Sequence, residues 1–314
     1  MPPADLPPDF EVTSPFTRAA GLAAGLTDRD LRGPAYRRLL RGTYVSRAVE
    51  PGPAQWVRSA MLLVPTESFA SHQSAATLLG GTVPATSTVH LGTTHRLAST
   101  HAGIRLHRYA AAPAMIRRGG IPCTDGARTF LDLAAVLDLV DLVVLGDSLL
   151  AAGALGVDEL QAAAQAGTGH GVRRARQAAR LVRARVESPM ETRVRLLLVL
   201  AGLPEPEVNL SVRITGSGRR YRLDLAWPRA RVAVEYDGRH HIDRSPQWQA
   251  DLLRREELEG DRWRLIVLTA ADLHVTPHAT VHRVADALRL AGMPLGPLRT
   301  GWERHFVHGR PLAS

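Results

Sequence analysis

Residues 222–238, RLDLAWPRARVAVEYDG, place three carboxylates in an otherwise apolar stretch. Two runs of alternating apolar residues flank PRAR, a pattern typical of two strands joined by a short loop. Because successive strand residues face opposite sides, Glu235 and Asp237 share one face of the second strand. If PRAR is a four-residue loop, Asp224 lies directly opposite Glu235, whereas a shift of one residue would separate them.

Three carboxylates on one face of a hairpin are costly. Like charges this close raise one another's pKa values unless a cation lies among them, and buried acids are otherwise compensated by hydrogen bonds or Arg. Hard oxygen ligands suit Mg²⁺, with Mn²⁺ as a possible substitute. The hairpin therefore predicts a divalent-metal site.

The hairpin lies inside a compact αββαβα pattern that covers residues 188–290. Ser188-Pro189 opens the first helix and Ser245-Pro246 the second. WRLIVLT predicts a third strand, and the last helix is expected over residues 277–290. This order predicts a C-terminal domain built on a mixed sheet.

The same segment resembles the PD-(D/E)XK, or restriction-endonuclease-like, nucleases over roughly residues 186–290. It is most similar to an uncharacterised domain family related to very-short-patch repair endonucleases. The motifs that carry the resemblance are, in chain order, Ser188-Pro189-Met190-Glu191, Arg222 to Pro228, Glu235 to Gly238, His240-His241, Gln249, Asp251, Arg254 and Arg255.

The resemblance implies an Mg²⁺-dependent DNA endonuclease that hydrolyses phosphodiester bonds. Asp224 and Glu235 would be metal ligands, and Glu191 an outer or third ligand. Asp237 stands where the broad superfamily has a lysine, and this chain contains no lysine. Asp237 or His240 would accept a proton instead. Arg254 and Arg255 would contact DNA, and Arg254 could also pair with the carboxylates.

Several of these residues also have a structural interpretation. Glu191 stands three residues after Ser188, as in a capping box. Asp237 before Gly238 can start a turn. Asp251 and Arg254 have the spacing of a helical surface ion pair, and the two histidines can be an exposed pair. Asp224 and Glu235 are the hardest to explain in this way.

The N-terminal part predicts a disordered leader at 1–15 and a winged-helix-like module at 16–52. Thr17 and Thr27 are suited to cap two short helices, and RRLLRGTYVS resembles the basic third element and wing of a winged helix-turn-helix. The predicted DNA contacts are Arg29, Arg32, Arg37 and Arg38. The alternative is a small helical cap with solvated arginines, since Gly33-Pro34 interrupts the second helix.

A middle α/β domain is expected over 53–168, a basic and exposed linker helix over 169–187, and a loosely ordered tail over 291–314. Five histidines of the middle domain match no metal-binding spacing and are interpreted as ordinary residues: His72, His90, His95, His101 and His107.

The N-terminal two thirds are similar to AbiEi-type antitoxins of type IV toxin–antitoxin systems. FTRAAGLAAGLTDRDLR, SHQSAATLLGG and IPCTDGARTFLDLA carry this looser resemblance. It implies a winged helix that binds operator DNA and a following domain that supports neutralisation of a cognate toxin.

Composition limits the function further. The net charge is +9 and all 39 basic residues are Arg, which favours polyanionic partners such as DNA. No apolar run reaches membrane-spanning length and no signal-peptide pattern is present, so we expect a cytoplasmic protein without a membrane partner. A single cysteine excludes an internal disulfide. The chain is thus predicted to be α/β (α+β), with a nuclease and a non-catalytic DNA-binding regulator as its two candidate functions.

Overall fold

The computed structural model describes residues 6–7, 9–64, 67–96, 99–238 and 246–306, and of residues 246–249 only the backbone. Helices and mixed sheets are both present, which confirms the α+β class. The strands are β1 Phe16–Thr17, β2 Tyr36–Arg38, β3 Thr43–Ser46, β4 Phe69–Ala70, β5 Val89–Thr93, β6 Ile104–Arg108, β7 Met115–Arg118, β8 Ile121–Thr124, β9 Glu207–Arg213, β10 Arg220–Trp227, β11 Val232–Tyr236 and β12 Arg264–Leu268. The helices are α1 Arg18–Ala23, α2 Asp28–Arg32, α3 Pro53–Met61, α4 His72–Leu78, α5 Gly126–Ala134, α6 Leu139–Ala151, α7 Val157–Ala166, α8 Val172–Leu181, α9 Pro189–Leu200, α10 Pro246–Gly260, α11 Ala270–His274 and α12 Pro277–Leu290, with a 3₁₀ turn at Glu303–His305.

The chain divides into two compact units. The first combines Met1–Leu137 with Ala152–Arg176, and the second combines Asp138–Ala151 with Gln177–Ser314. Helix α6 therefore groups with the C-terminal unit, although the predicted domain 53–168 includes it. Within this unit, Asp147 of α6 and Arg195 of α9 form a buried ion pair, with 2.9 Å between Oδ2 and Nη2.

The first unit begins with a three-stranded sheet in the order β1-β3-β2. Thr17 and Thr27 cap α1 and α2 as predicted. The basic segment RRLLRGTYVS, compared above with the third element and wing of a winged helix-turn-helix, lies in strands β2 and β3, which pair antiparallel. The described part of the predicted leader is packed rather than loose, since the Phe10 and Phe16 rings lie 5.0 Å apart.

A five-stranded mixed sheet, β6-β5-β4-β8-β7, follows in the same unit. Helices α3, α4 and α5 and strands β5 and β6 lie in this region, which agrees with the α/β character expected for it. The hairpin β7–β8 was not predicted, because every residue of β7 is exposed and its sequence lacks alternation. It turns at Gly119-Gly120, whose positive φ angles of 54° and 78° suit a two-residue hairpin loop.

Helix α8 differs from the exposed linker helix expected over 169–187. Small apolar side chains line one stripe and are buried, namely Ala175, Ala178, Ala179 and Val182. Two of its arginines are used structurally: Arg174 donates to the Leu137 carbonyl at 2.6 Å and Arg176 to the Ala164 carbonyl at 3.1 Å.

The second unit carries a four-stranded sheet in the order β12-β11-β10-β9. The two central strands are antiparallel and β12 runs parallel to β11, so the predicted mixed sheet is confirmed. Strand β9 and the short helix α11 were absent from the predicted αββαβα pattern, whereas α12 has the predicted bounds. The tail also differs, because Trp302 and Phe306 are buried.

In the described part of the chain, no helix combines the length and apolar character needed to cross a bilayer.

Candidate active site

The register of the central hairpin is the predicted one. Leu225 pairs with Val234 and Ala226 with Ala233, so one further step places Asp224 opposite Glu235. The PRAR loop closes with Ala230 and Arg231 donating to the Trp227 and Pro228 carbonyls, respectively. Asp224 and Glu235 therefore lie opposite each other, as the predicted carboxylate site requires.

Asp224 lies in surroundings that disfavour its charge. Its neighbours Leu223 and Leu225 are buried, as are Val232, Ala233 and Val234 of β11. Burial, together with the smaller effects of the Glu191 and Glu235 charges, raises the pKa of Asp224 from its ordinary 3.8 to about 6. The Tyr236 backbone N–H donates to Asp224 Oδ2 at 3.1 Å and offsets only part of this cost.

Glu235 is compensated by Arg254 of α10. The guanidinium donates to both carboxylate oxygens, with Nη1 to Oε2 at 2.9 Å. Arg254 Nη2 also donates to the Arg222 carbonyl at 2.9 Å, and its guanidinium lies over the Tyr221 ring, 5.7 Å from the centroid. This fork agrees with the expectation that Arg254 pairs with the carboxylates.

Glu191 belongs to the capped N-terminus of α9 and also lies near Asp224. Its N–H donates to Ser188 Oγ at 3.1 Å, so Ser188 caps α9 as predicted. The Glu191 carboxylate does not return to the Ser188 backbone; Oε2 accepts from the Glu187 N–H and from Asn209 Nδ2, each at 3.1 Å. Glu191 is buried and close enough for its charge to raise the pKa of Asp224, after the larger effect of burial.

Asn209 is a site residue that the sequence did not reveal. It lies on β9 between Leu210, which pairs with Leu223, and Val208, which pairs with Leu225, and therefore opposite Asp224. Its φ of 49° is left-handed, a region where Asn is tolerated. Asn209 Oδ1 is buried and has no hydrogen-bond partner among the described residues. Only recognition of the preceding strand EVNLSVR would have brought Asn209 to the hairpin.

The remaining predicted residues are less closely assembled. Asp237 lies at the end of β11, where its N–H donates to the Leu268 carbonyl at 2.8 Å. Arg255 is exposed on α10. His240 and its neighbour His241 lie outside the described residues. No group of three or more His, Cys, Asp or Glu side chains is arranged as a metal site within the ranges described, so the Mg²⁺ site stays a prediction.

The predicted DNA contacts of the first unit are not equally available. Three of them are exposed and lie on α2 and β2, namely Arg29, Arg32 and Arg38. Arg37 instead binds Glu50, with Nη1 to Oε1 at 3.0 Å. Its guanidinium would have to leave this pair to reach a phosphate.

No family model matches this chain. Two curated relatives from Mycobacterium tuberculosis strains, "Uncharacterized protein MT2308" and "Uncharacterized protein Rv2248", are each 32% identical to it over 111 residues. The match covers 34% of this chain and 41% of each relative, so it spans less than half the length of those proteins.

Proposed function

We propose that the second unit is a divalent-metal-dependent endonuclease that hydrolyses phosphodiester bonds in DNA. The observation that carries the proposal is Asp224, held at a pKa of about 6 by burial and by two neighbouring carboxylates. A strand of this sheet needs no charge at that position, and an uncompensated acid costs stability. Costly titratable groups of this kind are concentrated at functional sites.

The oxygen donors around Asp224 fit Mg²⁺ or Mn²⁺ in chemical type. Asp224, Glu235 and Glu191 supply carboxylates, and Asn209 Oδ1, which has no hydrogen-bond partner among the described residues, supplies an amide oxygen. Glu235 could ligate an ion through the remaining lone pairs of its oxygens, or after giving up a bond to Arg254. When bound there, a divalent ion would supply Lewis-acid activation of water and neutralise charge on the phosphate.

The neighbouring side chains have distinct proposed roles. Arg254, released from Glu235, would direct its fork to a phosphate of the substrate, and the exposed Arg255 would contact the DNA backbone. Asp237, two residues beyond Glu235, is the proposed proton acceptor in a chain without lysine, with His240 as the second candidate.

A second candidate function is a non-catalytic DNA-binding regulator of the AbiEi antitoxin type, with a degenerate nuclease fold. The Arg254–Glu235 ion pair favours it, because both oxygens of a proposed metal ligand already have a partner. In that case the pair stabilises a scaffold, the exposed Arg29, Arg32 and Arg38 contact operator DNA, and a cognate toxin is the protein partner.

The test is nicking of supercoiled plasmid with Mg²⁺ or Mn²⁺ by the wild-type protein, Asp224→Asn and Glu235→Gln. Both variants keep side-chain size and remove a charge. Asp286→Asn is the matched control, because its side chain is 63% exposed on α12. We expect metal-dependent nicking that both site variants lose and the control retains. Wild-type protein that neither nicks nor binds the metal in calorimetry, while binding its own promoter without metal, would refute the nuclease and support the regulator.

A further inference from the structure

The first unit contains a polar cavity that the proposed nuclease chemistry does not use. Its volume is about 900 Å³, within the range of pockets that hold organic ligands. Imidazole and guanidinium groups dominate the polar part of its wall. The residues that matter here are His72 of α4, Arg105, His107 and Arg108 of β6, and Arg128 and Asp132 of α5.

The cavity wall has a surplus of positive charge. Arg128 is neutralised by Asp132, with Nε to Oδ1 at 2.9 Å, and Asp132 also accepts from the Tyr109 hydroxyl. Arg105 and Arg108 are exposed on the edge strand β6, and no described residue forms an ion pair with either. Two guanidiniums are therefore available to an anion that enters the cavity.

The histidines of this region form a neutral, stacked cluster. The His72 and His107 rings lie 3.6 Å apart between centroids and 18° from parallel. His90 Nδ1 and His107 Nε2 share a hydrogen bond of 2.9 Å. Burial lowers the pKa of His72 and of His107 to about 3 and that of His90 to about 4, with nearby positive charge acting in the same direction.

This cluster is better suited to an organic ring than to a metal ion. The bond between His90 and His107 occupies nitrogens that a metal would need, and no metal-binding group occurs within the described ranges. His72 and His107 cover one face of each other, so a planar base would stack on an outer face of this pair. His72 also has a φ of 50°, an unfavourable conformation for a residue with a Cβ and one that is concentrated at ligand sites.

We propose that this cavity binds a nucleotide-sized organic phosphate, specifically a phosphorylated nucleoside. Arg105 and Arg108 would bind the phosphate, and the planar base would pack on an outer face of the stacked His72–His107 pair. A free nucleotide and the 5′-phosphorylated end of a DNA strand present the same chemistry. The proposal does not depend on the nuclease function of the other unit.

The experiment is calorimetric titration of the full chain with four probes: a deoxynucleoside 5′-monophosphate, the matching nucleoside, inorganic phosphate and a 5′-phosphorylated oligonucleotide. Binding of the monophosphate should be at least about tenfold tighter than that of the nucleoside or of phosphate. The monophosphate alone offers both a phosphate to the arginines and a base to the imidazoles. If the oligonucleotide displaces the monophosphate and binds more tightly, the natural ligand is the end of a DNA strand. If it binds more weakly than the monophosphate, the natural ligand is a free nucleotide.

Arg105→Gln and Arg108→Gln should each weaken monophosphate binding by about tenfold or more. Both side chains are exposed, so folding is expected to be retained, which thermal unfolding would verify. Arg118→Gln is the matched control, since Arg118 is exposed on β7 of the same sheet and outside the cavity. Absence of monophosphate binding, equal weakening in the control, or inorganic phosphate binding as tightly as the nucleotide would overturn the proposal.

Discussion

Asp224→Asn is predicted to stabilise the protein at neutral and alkaline pH. The carboxyl has an ordinary pKa of 3.8 and a folded-state pKa of about 6. At ~1.36 kcal/mol per pKa unit, this difference of about two units corresponds to up to about 3 kcal/mol, which solvent screening reduces. Because folding raises the pKa, the unfolded chain loses this proton first. The cost is therefore absent below about pH 4 and fully present above about pH 6.

Asparagine removes the charge and keeps an acceptor for the Tyr236 N–H, which donates to Asp224 Oδ2 at 3.1 Å. Urea unfolding followed by tryptophan fluorescence measures the effect, since Trp227 is buried on the same strand. We expect a gain of about 1–3 kcal/mol at about pH 8 that disappears near pH 4. The exposed Asp286→Asn control should change stability by less than about 0.5 kcal/mol. A variant no more stable than wild type at about pH 8, or a difference that is independent of pH, would refute the reasoning.

Three further predictions concern a buried ion pair, the arginine that binds Glu235 and a glycine at the start of a helix. Arg195→Met should destabilise the protein by about 3–5 kcal/mol in urea unfolding, because it leaves the buried Asp147 carboxylate without its guanidinium; a loss below about 1 kcal/mol would contradict this. Arg254→Met should raise the pKa of Asp224 above its value of about 6, because burial already raises that pKa and the guanidinium charge opposes the rise; carboxyl NMR titration would measure it, and an unchanged or lower value would be contrary evidence. Gly126→Ala should lower the melting temperature, because the new Cβ would lie about 2.3 Å from a backbone carbonyl oxygen that cannot rotate away; an unchanged melting temperature would show that the helix adapts.

The sequence predicted the hairpin well because its signals are local. Alternation in LDLAW and VAVEY and the four-residue PRAR loop together define the register that pairs Asp224 with Glu235. Ser-Pro at the start of α9 and the Pro277 start of α12 are equally local signals, and both helices begin where expected.

The contacts that the sequence did not predict join residues distant in the chain. Asn209 reaches the site only through the pairing of β9 with β10. The alternation of Val208, Leu210 and Val212 in EVNLSVR is a local signal for a strand, but it does not show which strand is its partner. The sequence of α6 predicts an apolar helix and nothing more. The side-chain partners of its Asp147 are Thr192 and Arg195, which lie 45 and 48 residues further along the chain. His72, His90 and His107 match no spacing rule, because an α-helix and two parallel strands bring them together.

The two candidate functions differ most sharply in what they require of Asp224. Arg254 forms its fork with Glu235, so an inherited scaffold would retain a compensated Glu235 at little cost. Among the described residues, one backbone N–H bond and the Arg254 charge oppose the effects of burial and of two neighbouring carboxylates on Asp224. A scaffold without metal chemistry gains nothing from such an acid, and Asn would serve the same backbone bond. If Asp224→Asn is more stable and also loses metal-dependent nicking, the charge is a stability cost retained for catalysis. If it is more stable and the wild type has no activity, the regulator becomes the better account, with Asp224 as a remnant of a nuclease site.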